Sequence, residues 1–191
     1  MKKLGLPICF LLVGITWGHA QSVSVGLRAG LNSATEIASG PYSTNGGTRT
    51  SFLLGGFVKI MVTGKMGVQP ELYYSSLGAT TTGFVQKLNY LSLPVMFRYN
   101  IANHLHFVVG PQFSILLAAK DVTGGQTQDV KDAFNTQDFS GVLGAGIDFG
   151  PFDFGVRYVA GFSNILKVHP IGYSEKNNVL QFVVGYKLFG K

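Results

Sequence analysis

The stretch Phe152-Asp153-Phe154-Gly155-Val156-Arg157-Tyr158-Val159-Ala160-Gly161-Phe162-Ser163 decides the fold. Read two residues at a time, it puts Phe152, Phe154, Val156, Tyr158 and Phe162 on one face and Asp153, Gly155, Arg157, Gly161 and Ser163 on the other. A period of two is that of a β-strand, whose successive side chains point to opposite faces. The make-up of the two faces tells what surrounds the strand. A soluble sheet hides its apolar face and offers a charged face to water. Here the apolar face is continuous and aromatic, while the polar face is small and sparsely charged. That suits lipid on one side and a narrow polar lumen on the other.

The same pattern continues in both directions along the chain. Leu180, Phe182, Val184, Tyr186 and Leu188 oppose Gln181, Gly185 and Lys187. Leu91, Leu93, Val95, Phe97 and Tyr99 oppose Tyr90, Ser92, Met96 and Arg98, and Met66, Val68, Leu72 and Tyr74 oppose Gln69, Glu71, Tyr73 and Ser75. No segment after Gln21 carries a helical apolar period. Eight strands are expected, at about 22–33, 50–62, 65–79, 87–99, 104–119, 137–149, 152–165 and 177–189. Each reaches the length of about 9–11 residues that a tilted strand needs to cross a bilayer.

The connections sort into two kinds. Thr63-Gly64, Asn100 to Asn103 and Gly150-Pro151 are tight, whereas 34–49, 80–86, 120–136 and 166–176 are long and polar. Outer-membrane barrels combine short periplasmic turns with long outer loops. The expected fold is therefore all-β: an eight-stranded antiparallel up-and-down transmembrane β-barrel over 21–191, with both termini periplasmic and the long loops extracellular. Aromatics sort by depth in the same way. Tyr99, Phe107, Phe149, Phe152 and Tyr186 fall near the periplasmic ends of the lipid face, and Phe52, Tyr74, Phe139 and Phe162 toward the outer ends, as interfacial girdles do. Pro70, Pro94 and Pro111 fall inside strands, where each removes a ladder hydrogen bond; bulges are expected to absorb them.

Ahead of the barrel, Lys2 and Lys3 precede an apolar run from Leu4 to Gly18, and Gly18-His19-Ala20 places small residues where a signal peptidase reads. Residues 1–20 are expected to be a cleaved leader. Cys9, the one cysteine, would leave with it, so neither disulfides nor thiol chemistry are expected. The formal charge would fall from +6 to +4 with the loss of the two lysines. No basic stripe gathers that excess, so nucleic acid is not an expected partner.

Several motifs carry a resemblance. The run Gly67-Val68-Gln69-Pro70-Glu71-Leu72-Tyr73-Tyr74-Ser75 resembles the third strand of the small outer-membrane β-barrel proteins of Bacteroidetes, often called porin-family or PorT-like. Leu91-Ser92-Leu93-Pro94-Val95, Gly110-Pro111-Gln112-Phe113, Gly144-Ala145-Gly146 and Arg157-Tyr158-Val159-Ala160-Gly161-Phe162-Ser163-Asn164-Ile165 are similar in the same order, so the likeness covers essentially the whole mature chain. It implies an eight-stranded outer-membrane barrel and makes the three prolines family features. It implies no reaction. One branch is associated with a secretion and gliding apparatus, which makes a secretion complex a conceivable partner. The family often ends on an aromatic read by the barrel-insertion machinery; here Phe189 is followed by Gly190 and Lys191.

The candidate functional residues are the ionisable groups that parity turns inward: Arg28, Lys59, Glu71, Arg98, Asp148, Asp153, Arg157 and Lys187. Side chains fill the interior of so small a barrel, and unpaired buried charge is costly. A plug of salt bridges is expected, with Glu71 meeting Arg157 or Arg28, and a gate for ions or a small solute is the alternative. Two further readings belong to other classes. Ser163, His169, Ser174 and Glu175, at the last outer loop, have the residue types of an outer-rim lipid hydrolase, but no spacing rule joins them, and an enzyme is not expected. The polar segment 41–49 suits an adhesion or binding surface, since loops on a rigid scaffold carry recognition. His104 and His106 share a face by parity, but structural zinc usually takes four ligands. They are read as polar residues beside a turn, and neither metal nor cofactor is expected. Lipid of the outer membrane and the insertion machinery are the expected partners.

Overall fold

A computed structural model of the chain describes residues 22–39, 47–167 and 173–190. The expected leader, its cleavage site, His169 and most of the 41–49 segment lie outside these. Ten strands form one antiparallel sheet: β1 (Ser22–Ser39), β2 (Arg49–Met61), β3 (Met66–Leu77), β4 (Thr80–Thr81), β5 (Phe84–Asn100), β6 (Leu105–Thr123), β7 (Gln126–Asp129), β8 (Gln137–Phe149), β9 (Phe152–Gly161) and β10 (Ser174–Gly190). Eight of them run in the order β5-β3-β2-β1-β10-β9-β8-β6, and pairing of β5 with β6 closes the ring. Neighbours in the ring are neighbours in sequence, and β1 pairs with β10, as an up-and-down barrel requires. Closure leaves no free edge within the bilayer, the condition for a sheet to span it.

The side of the ring that carries the long connections is more regular than the sequence pattern implies. β1 continues past 33 to Ser39, β5 begins at Phe84, β6 runs on to Thr123 and β10 begins at Ser174. The expected loop 80–86 is largely a hairpin of β4 with β5, and 120–136 holds the hairpin of β6 with β7 and a short 3-10 turn, Lys131–Ala133. These extensions rise beyond the apolar wall, where both faces are polar and the alternation fades. Backbone hydrogen bonds do not depend on that alternation, so pairing continues. At the other extreme, β9 stops at Gly161, and the residues to Ile165 join a cap over the barrel mouth.

The three prolines are accommodated without bulges. Between β2 and β3 the ladder omits Val58–Pro70 and Lys59–Gln69 and resumes in the same register. Between β3 and β5 it omits Glu71–Pro94 and Leu72–Leu93, and between β5 and β6, Val95–Pro111 and Met96–Gly110. Two consecutive missing rungs are the mark of one absent N–H in a pair that should exchange two bonds. Pro70, Pro94 and Pro111 thus withhold a donor from the carbonyls of Val58, Glu71 and Val95. The actual register shifts lie elsewhere, between Val25 and Gly26 and between Asn89 and Tyr90. The first leaves Leu188 unpaired opposite β1, so that Leu188 and Phe189 both face outward.

The two faces separate cleanly. Outward lie Leu72, Leu93, Val95, Phe154, Val156, Phe182 and Val184, all exposed, while Gln69, Glu71, Ser92, Arg98, Arg157 and Gln181 are buried inside. The outward aromatics cluster at the two ends. Phe52 lies 5.9 Å from Tyr74 and Phe139 6.0 Å from Phe162 toward the end with the long connections, and Phe152 lies 5.2 Å from Tyr186 at the tight-turn end.

Candidate functional site: the filled lumen

Seven of the eight ionisable residues expected to face inward form one continuous chain of alternating sign. Lys59 Nζ lies 3.1 Å from Asp148 Oδ1, and Asp148 Oδ2 meets Arg98 Nη2. Arg98 Nη1 reaches Asp153 Oδ2 at 3.0 Å, and Asp153 Oδ1 accepts from Arg28 Nη1 at 2.7 Å. Arg28 Nη2 donates to Glu71 Oε1 at 2.8 Å, and Arg157 grips Glu71 with both terminal nitrogens, at 2.7 and 2.8 Å. Glu71 therefore takes Arg28 and Arg157 together: both donate to Oε1, and Arg157 also donates to Oε2. Paired forks of this kind are among the stronger ion contacts.

Neighbouring residues complete the network. Gln69 donates to Glu71 at 2.8 Å and accepts from Arg98 at 3.1 Å, and the Arg28 guanidinium lies 4.7 Å from the centre of the Phe57 ring. Two glycines make room: a Cβ on Gly185 would sit 2.9 Å from Arg28 Nη1, and one on Gly144 2.7 Å from Arg157 Cγ. Lys187 stands apart. It lines a cavity of about 200 Å3 at the end of the barrel that holds the tight turns, with Lys59, Asp148 and Asp153, and among the described residues takes no ion pair.

The histidines part company, which corrects the shared face assigned to them by parity. β6 begins only at Leu105, so His104 is an exposed turn residue, its Nδ1 3.0 Å from the Asp148 carbonyl. His106 is 2 % exposed and lies inside the network. Its Nδ1 is 3.5 Å from Asp148 and its Nε2 3.7 Å from Asp153. His106, Asp148 and Asp153 are the one trio among the described residues close enough to share a metal ion. Arg98 already bridges the facing oxygens of both aspartates, so the place of a cation is taken by a side chain.

Above the charges the filling changes. A neutral layer comes first: Tyr73 donates to Gln112 at 2.6 Å, Ser92 and Ser114 pair at 2.9 Å, and Gln181 donates to Asn32 at 3.1 Å. Beyond it Leu77, Leu88, Leu116, Ala119 and Val179 pack under Phe134 and Ile165, both buried and both delivered by the connections on the side away from the tight turns. That cap is tied down by its backbone. Asn135 N–H donates to the Ile165 carbonyl at 2.7 Å, Lys167 N–H to that of Ala133 at 3.0 Å, and Asn164 Oδ1 accepts from the N–H groups of Leu166 and Glu175. Glu36 sits beside it on β1, well past Leu31, which pairs with the girdle residue Phe52, and so outside the apolar wall. The Gln86 amide, turned to donate, lies 2.7 and 2.9 Å from its two oxygens. Burial, reinforced by the facing Glu175 carboxyl, pushes Glu36 up to about 9.

The eight ionisable candidates leave out His106, Gln69, Glu36 and the cap residues. His106 and Gln69 carry the inward parity of Arg98 and Glu71 and are recoverable from it. Phe134 and Ile165 carry no strand signal, because they lie in connections. Of the outer-rim quartet, Ser163 Oγ accepts from the Phe139 N–H at 2.9 Å and Glu175 engages Glu36.

A closed eight-stranded ring with an apolar belt, two aromatic girdles and a filled polar lumen defines an integral outer-membrane β-barrel protein. Residues 19–167 match the outer membrane protein beta-barrel domain family, and the chain belongs to it. Among solved structures, Neisserial surface protein A is similar with a TM-score of 0.61 at 10% identity, over 89% of this chain and 100% of that one. Ail, the attachment invasion locus protein of Yersinia pestis, is similar with a TM-score of 0.52 at 15% identity, over 88% and 100%. These likenesses concern the fold. No curated protein sequence matches the chain.

Proposed function

We propose that this protein is a closed scaffold of the outer membrane that acts through its surfaces and passes no solute through its lumen. One observation carries the reading: the interior is crossed by the linked chain from Lys59 to Arg157, and above it by an apolar cap. Opening a water path would require both separating buried ion pairs and lifting Phe134 and Ile165. The role is non-catalytic in this reading, structural or recognitional. The hairpin of β6 with β7 supports recognition, since Gln126–Asp129 stands wholly exposed beyond the ring. Both termini lie in the periplasm and the hairpins outside the cell, insertion depends on the barrel-assembly machinery, and a secretion-accessory partner of the kind the Bacteroidetes resemblance implies would dock on the same outer rim or on the periplasmic turns.

The test is single-channel recording on the purified protein in a planar bilayer. Electrical silence over a range of voltages is the expected result. Steady, sizeable conductance would overturn the closed reading and restore the solute gate.

A further inference from the structure

The lipid-facing wall holds a cavity of about 350 Å3, lined by Val25, Val58, Pro70, Leu72 and Leu93 around the main chain of Gly26 and Gly56. Glu71 also lines it, although its side chain is fully buried in the lumen. What Glu71 presents to the lipid side is therefore its main chain. Pro94 withholds a donor from the Glu71 carbonyl and Pro70 withholds one from that of Val58. Among the described residues no side chain or turn N–H supplies either one. The cavity and two under-satisfied acceptors thus coincide. They do so between Met66 at one end of β3 and the girdle residue Tyr74 at the other, at a depth where water is absent and every backbone polar group needs a partner.

We infer that this cavity is a binding site for a hydroxylated acyl chain of an outer-membrane lipid. The wall faces the bilayer, so the occupant is a chain from the bilayer. The apolar rim takes its methylenes, and a hydroxyl within the chain donates to the Glu71 or Val58 carbonyl. A plain acyl chain fills the same volume but leaves both acceptors unmet, so the hydroxyl is the source of selectivity. The site is independent of whether the lumen conducts.

The protein purified from the outer membrane, in a Trp17→Phe background that removes the sequence's single tryptophan, carries a reporter as Leu91→Trp beside the cavity or as Val156→Trp on the far wall. Vesicles of brominated phosphatidylcholine quench either reporter. Octadecanoic acid and its mid-chain hydroxy derivative are then titrated in to displace the brominated chains. The hydroxy acid should relieve quenching of Leu91→Trp at about tenfold lower concentration, the worth of one good hydrogen bond, and show no advantage at Val156→Trp. Pro70→Ala with Pro94→Ala restores the missing N–H groups and should abolish the preference while the plain acid keeps its potency. Leu93→Phe fills the cavity and should block relief by both acids. Equal potency at Leu91→Trp, the same preference on both walls, or a preference that survives the alanines would overturn the site.

Discussion

The lumen is filled in two different ways along its length. In the half nearer the tight turns, four cations and three carboxylates alternate in a linked chain, and each acid is held by at least two cations. In the other half Leu88, Leu116, Phe134, Ile165 and Val179 fill the space by volume, and Glu36, an acid at their margin, faces a second carboxyl. The first kind of filling is specific but fragile, because removing one member strands its partners in a medium of low polarity. The second is tolerant of chemistry and sensitive to volume. A barrel built this way is locked in register by its charges and sealed by its cap.

The sharpest way to break the comparison is Glu71→Gln. It strands Arg157 and leaves Arg28 with Asp153 alone, and the loss should be about 3–5 kcal/mol, read by urea unfolding in lipid vesicles. Adding Arg157→Met should recover part of it. A double-mutant cycle on Glu71 and Arg157 that returns no coupling would mean the charges are solvated, and the lower half would be an open water path.

Phe134→Ala tests the other half. Full truncation of a buried phenylalanine costs about 3–5 kcal/mol, and the low end is expected here because the cap lies on connections that can settle into the space. The distinguishing readout is proteolysis. Loss of the Phe134 ring should expose the connections 130–136 and 162–167 to cleavage in intact vesicles, whereas Glu71→Gln should leave them protected. Equal protection in both would show that the cap is held by its backbone bonds and not by its apolar contacts.

These two halves were unequally legible in the sequence. The ring, its lipid face and the inward parity of Arg28, Glu71, Arg98 and Arg157 follow from the period of two, because hydrocarbon on one side enforces that period residue by residue. Parity also contains His106, since its neighbours Leu105 and Phe107 face outward, but nearness to a turn points the other way. The cap was not readable. Phe134 and Ile165 reach the lumen from connections, where no repeat constrains which side chain turns inward. The strand extensions failed for a related reason: above the bilayer both faces meet water, so pairing persists after the alternation has gone.

Glu36 gives a smaller effect, with a sign opposite to that of a paired acid. Unfolded, it ionises near its ordinary value of 4.5; folded, it keeps its proton to about 9. Between the two the folded chain binds more protons than the unfolded one, so its contribution is full below 4.5 and is lost as pH rises through 9. Glu36→Gln should therefore flatten the fall in stability on the alkaline side and leave acid stability unchanged, in urea midpoints measured at a series of pH values. A variant as pH-sensitive as the parent would show that Glu36 is ionised against Arg49 instead.

The smallest effect belongs to the end of the charge chain. Lys59 and Asp148 meet at 3.1 Å, but their side chains are 17% and 26% exposed, beside the cavity that holds Lys187. Solvent screens such a pair, and exposed ion pairs contribute only about 0–1 kcal/mol. Lys59→Met leaves Asp148 with Arg98, so no acid is stranded. The loss should stay within that range and shrink further in high salt, since charges open to water are screened within a Debye length of about 10 Å at 0.1 M. Glu71→Gln should keep its full cost in the same salt. A Lys59→Met loss as large and as salt-resistant as that of Glu71→Gln would mean that the vestibule at the tight-turn end is dry and that the plug reaches the end of the barrel. A negligible loss would set its lower boundary at Arg98, with the cavity around Lys59 and Lys187 open to bulk water.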